Sequence, residues 1–67
     1  MRAEARNIAD NGLAHELRGE WTEAAASYER AAALFTESRH FGQAEEMHRR
    51  ALTCRAVVAA VAAHATV

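Results

Sequence analysis

Four histidines, His15, His40, His48 and His64, stand in a chain of 67 residues together with one cysteine, Cys54, and a methionine, Met47. Imidazole, thiolate and thioether are the ligands from which zinc and copper sites are built, so metal binding is the first chemistry to weigh. Two ligands from one helix must lie three or four residues apart to reach one ion. No pair of these histidines is so spaced, and His48 and Cys54, six apart, point to different sides of a helix. A metal site would need ligands from several helices or from two chains, and solvated or half-buried histidine is the expectation, with no metal and no cofactor.

The other chemically equipped cluster is Arg49, Arg50 and Arg55 with Glu45 and Glu46. Such a set can hold an anion between helices, and with His48 it gives the alternative reading of a small helical enzyme or metal-handling subunit whose site forms between chains. Against this, four-spaced Glu and Arg normally make pairs along a solvated face. Cys54 lies on an apolar stripe beside Arg55, where a helical thiol is packing and not a nucleophile. The sequence has no glycine-rich phosphate loop, no nucleophile motif and no paired-carboxylate signature, so no catalytic residue is assigned and an enzyme is the less favoured class.

Composition narrows the partners. Eight arginines, no lysine and nine acids give a net charge of −1, so there is no broad basic face for phosphates and nucleic acid is not expected. Eighteen of the 34 hydrophobic residues are alanine, which favours helix but buries little area per residue. Arginine and alanine in this proportion suggest a GC-rich, bacterial coding genome. The first ten residues lack the apolar core of a signal peptide, and the apolar run from Ala56 to Ala63 is too short to span a bilayer. The expectation is a cytoplasmic chain, away from membranes, with Cys54 reduced.

The elements that must position these residues are helical throughout. Apolar residues recur at three- and four-residue steps, and no stretch alternates as a strand would. The spacing predicts one all-α domain over residues 1–67, a three-helix antiparallel bundle with helices over about 2–18, 20–37 and 42–66. Gly19 ends the first helix, Ser38 is a candidate cap for the third, and Asp10-Asn11-Gly12 is a turn signal inside a helix kept as one piece. Gly12, Trp21, Ala24, Tyr28, Ala31 and Phe35 form the packing set: small residues bring two backbones close and the rings fill the space beside them.

These residues carry a resemblance. Gly12 and His15 in the first helix, with Gly19, Trp21, Ala24, Tyr28 and Ala31 in the second, make residues 5–36 similar to a tetratricopeptide repeat, a helical hairpin that binds peptides and proteins. Ile8 replaces the leading Trp, Asn11 stands in place of Leu, and Leu34-Phe35-Thr36 continues without the terminal Pro. The resemblance implies that Arg6, Ala9, Leu13, Glu16 and Leu17 face a ligand, in a groove without the basic cluster that would clamp a terminal carboxylate. The same pattern returns at Phe41, Ala44, His48 and Ala51 after 20 residues, where the family repeats after about 34. A regular tandem array is therefore excluded, leaving a repeat-like hairpin plus one long helix.

The third helix is the informative one. About 25 residues span roughly 37 Å against roughly 27 Å for the second helix, so its end must overhang. That end is apolar around its circumference, which predicts self-association through Cys54, Val57, Val58, Val61, Ala62 and Ala65. The expected function is a non-catalytic protein–protein interaction module that pairs with itself and presents a helical groove to a partner protein.

Overall fold

The computed structural model describes residues 2–65 and consists of three helices, α1 Arg2–Leu17, α2 Trp21–Glu37 and α3 Phe41–Ala65. This is an all-α, three-helix bundle with no strand among the described residues. The spacing predicts helices over about 2–18, 20–37 and 42–66, and position 66, the expected end of the third helix, lies outside the described residues. α2 occupies the centre and packs against α1 on one side and α3 on the other, while α1 and α3 touch only weakly. Two apolar clusters fill the contacts: Ala5, Ile8, Ala31, Phe35 and Ala44 draw on all three helices, and Ala24, Ala25, Tyr28, Ala51 and Cys54 join α2 to α3.

The two turns are built alike. At the end of α1, Gly19 adopts a left-handed backbone with φ 76°. The Gly19 N–H donates to the Glu16 carbonyl at 3.0 Å and the Glu20 N–H to the His15 carbonyl at 2.9 Å, a Schellman arrangement that satisfies carbonyls the helix leaves open. At the end of α2 the same pattern recurs twenty residues on, with Arg39 N–H to the Thr36 carbonyl at 3.0 Å and His40 N–H to the Phe35 carbonyl at 2.8 Å. Here the left-handed residue is Arg39, φ 62°, whose Cβ makes that conformation costly. Replacing exposed Arg39 by Gly is expected to stabilise the fold by about 1 kcal/mol, a rise in melting temperature of roughly 4–8 °C. Thermal melts followed by circular dichroism check this, and an unchanged or lower midpoint contradicts it.

Ser38 does not cap α3. Its hydroxyl donates back to the Leu34 carbonyl at 3.1 Å, and its own N–H goes to the same carbonyl, so it closes α2. The cap position of α3 is taken by His40, whose carbonyl accepts from Ala44 at 3.0 Å. Asp10-Asn11-Gly12 does not break α1, because Gly12 gains a packing role that outweighs its poor helix propensity. A Cβ built there would meet Cδ1 of Tyr28 at 2.9 Å, so the missing side chain is what admits the ring.

The chain is not as compact as its size allows. It has a radius of gyration of 12.6 Å and measures 44 × 19 × 12 Å, whereas a compact domain of this length has a radius near 11 Å. It exposes 4646 Å², where a monomer of 7.3 kDa is expected to expose about 4,200 Å². α3, with 25 residues against 17 in α2 and 16 in α1, is the longest element.

Candidate interaction surfaces

Tyr28 organises the centre of the molecule. It is 1% exposed, lies against Gly12, and donates its hydroxyl to Oε1 of Glu16 at 2.7 Å. The Arg50 guanidinium stands over the ring, 5.8 Å from its centroid. Burial, and then the Glu16 carboxylate at its hydroxyl, push the phenol above its ordinary pKa. Trp21 is half-buried against the second cluster, and Phe35 meets His40 edge-on with centroids 6.4 Å apart.

The residues that the repeat resemblance turned toward a ligand do not share one open surface. Arg6, Leu13 and Leu17 are exposed, Leu17 at 79%. Ala9 packs on the first apolar cluster, and Glu16 is held by Tyr28. Two of the five residues of that stripe are therefore spent on packing within the bundle.

Cys54 also departs from its expected place on the self-association stripe. It is 1% exposed and sits within one chain beside Tyr28 and Ala51, so it cannot meet a second copy. Burial pushes its thiol above the ordinary value, with the Glu16 charge adding to the shift, which makes it an inert packing group. The rest of the stripe is open: Val58, Val61, Ala62 and Ala65 are exposed and Val57 is half-buried. Val58 and Ala62 still border Thr22 and Ala25 of α2 on one side, and exposed Val61 and Ala65 carry the same side of α3 on toward its end.

The sequence did not announce a furrow between α2 and α3, on the side away from α1. Its upper part, about 520 Å³, is lined by Glu29, Ala32, Thr36, Phe41, Glu45 and His48 among others. Its lower part, about 380 Å³, is lined by Ala25, Ala26, Arg55, Val58, Ala59 and Ala62 with Thr22. An ion pair between Arg55 and Glu29, 26 residues apart, bridges the two helices between them. The Arg55 bond holds the Glu29 carboxyl below its ordinary range. The 20-residue offset was the available signal: Glu29, Ala32, Thr36, Phe41, Ala44 and His48 stand twenty positions after Ala9, Gly12, Glu16, Trp21, Ala24 and Tyr28.

The cluster considered for anion or metal chemistry is self-satisfied. Arg50 Nε donates to Glu46 at 3.1 Å, and Arg49 reaches Glu46 at 3.4 Å and Glu45 at 3.8 Å. Among the described residues no three His, Cys, Asp or Glu come together in a way that could hold a metal ion. No helix among them is long and apolar enough to cross a membrane. Compared with known families, with curated proteins and with solved structures, the chain shows no significant match. Its own geometry carries the functional argument.

Proposed function

We propose that this chain is a non-catalytic helical interaction module that self-associates through the distal part of α3 and presents a helical groove to a partner protein. The observation that supports it most is the exposed apolar end of α3. From Ala56 to Ala65 every residue is exposed except half-buried Val57, and between Arg55 and His64 there is no charge. A soluble chain leaves such a patch open only where something covers it. The excess of exposed surface, about 450 Å² over a compact monomer, is more than half of the roughly 800 Å² that a standard interface takes from each partner.

Light scattering on the eluting protein is expected to give a multiple of the 7.3 kDa chain mass. Val61→Glu places a carboxylate in the middle of the patch and is expected to weaken self-association at least about 10-fold while leaving helicity unchanged. A chain that stays monomeric up to millimolar concentration and binds no apolar dye would sink the proposal.

A further inference from the structure

We infer that the α3 overhang of one copy docks in the α2–α3 furrow of a second copy, taking there the place of a fourth helix. This rests on the self-association proposed above and names the surface that receives it. The internal offset supplies the argument. α1 and α2 form a pair in which Gly12, Glu16 and Tyr28 meet, and α3 lies on that pair with a stripe running through Ala44, Met47, Ala51 and Cys54. Twenty residues later α2 and α3 form the corresponding pair, with Ala32, Thr36 and His48 in the matching positions. Among the described residues no helix covers this second pair, and the upper furrow of about 520 Å³ is what remains open.

The stripe by which α3 seats itself does not stop at Cys54. It continues at the same spacing through Val58, Val61, Ala62 and Ala65, all exposed. The overhang is thus an extension of the face that packs on α2 along its length and on α1 at Ala44 and Met47, and the furrow is the shifted counterpart of the α1–α2 pair. The two acids that line the furrow are already paired within the chain, Glu29 with Arg55 and Glu45 with Arg49, so the docked helix does not have to supply a counter-charge. Two copies with α3 antiparallel place each overhang on the other's furrow, so the contact closes on a two-fold axis and both patches are covered at once. Leu52, 53% exposed, then lies near that axis.

Disulfide trapping tests this in a Cys54→Ala background, with one chain carrying Ala33→Cys on the furrow rim and another carrying Ala62→Cys on the overhang. The mixed 33–62 bridge is expected to form at least about 10-fold faster than the 62–62 bridge, because only docked thiols come within disulfide distance. Ala33→Glu, which charges the rim of the furrow, is expected to raise the dissociation constant of the assembly about 10-fold with helicity unchanged. A dominant 62–62 bridge, or an unchanged dissociation constant for Ala33→Glu, would overturn furrow docking while leaving self-association through α3 standing. A chain that does not self-associate at all would remove both.

Discussion

Tyr28→Ala is expected to leave the chain unfolded at 25 °C. The core is unusually poor in large side chains: among the described residues, seven of the ten buried apolar positions are Ala or Cys, the others being Ile8, Tyr28 and Phe35. Removing a buried ring costs about 3–5 kcal/mol through lost transfer energy and the cavity left behind. A core of this size supplies only about 3–5 kcal/mol in total, so the loss is comparable to the whole stability of the fold. Tyr28 also joins all three helices, through Gly12 of α1, its place in α2, and Ala51 and Cys54 of α3. Tyr28→Phe, by contrast, loses only the bond to Glu16 and should cost about 1 kcal/mol, since half-exposed Glu16 can be rehydrated. Far-ultraviolet circular dichroism with urea titration separates the two, and a Tyr28→Ala chain melting cooperatively near the parent midpoint would refute this account of the core.

The second large effect is expected at Gly12. Glycine inside a helix is about 1 kcal/mol worse than alanine, so at an open position its replacement would help. Here the new Cβ would lie 2.9 Å from Cδ1 and 3.0 Å from Cε1 of Tyr28. The ring cannot retreat, because Ala51 and Cys54 pack in the same cluster and its hydroxyl is tied to Glu16. Gly12→Ala is therefore expected to be close to neutral, the propensity gain offsetting the clash. Gly12→Val adds two methyl groups against the ring and should destabilise by about 3 kcal/mol. The decisive measurement is a double-mutant cycle: in a Tyr28→Leu background the penalty of Gly12→Val should shrink by at least about 1 kcal/mol. Additive penalties would mean that the two residues do not share one contact.

Much of the fold was legible because it depends on period and punctuation. The stripe Trp21, Ala24, Tyr28, Ala31, Phe35 marks one face of α2 at helical spacing, and Gly19 marks a left-handed stop that glycine enters without strain. The overhang followed from counting, since a 25-residue helix cannot be covered by a 17-residue neighbour. The second turn was less visible. Arg39 takes the left-handed position that Gly19 takes in the first, and nothing in its residue type signals that conformation. Ser38 illustrates the same limit, because a serine between two helices can close the first or open the second, and only the path of the backbone selects between them.

The sites were less legible than the elements. Helical spacing determines which side chains share a face, and it fixed α3 as a long, partly unaccompanied helix with an apolar end. It does not say which neighbour a face meets. That is why Ala9 and Glu16 could be placed on a ligand groove although they serve the α1–α2 contact, and why Cys54 could be grouped with the overhang although α2 still reaches it. The furrow between α2 and α3, with the Glu29–Arg55 pair crossing it, exists only once residues 26 positions apart are brought together. By itself the sequence determined helices, their lengths and their apolar sides, because those are set by local geometry. The tertiary structure alone decided which of those sides were already covered, because coverage depends on how far each neighbouring helix extends.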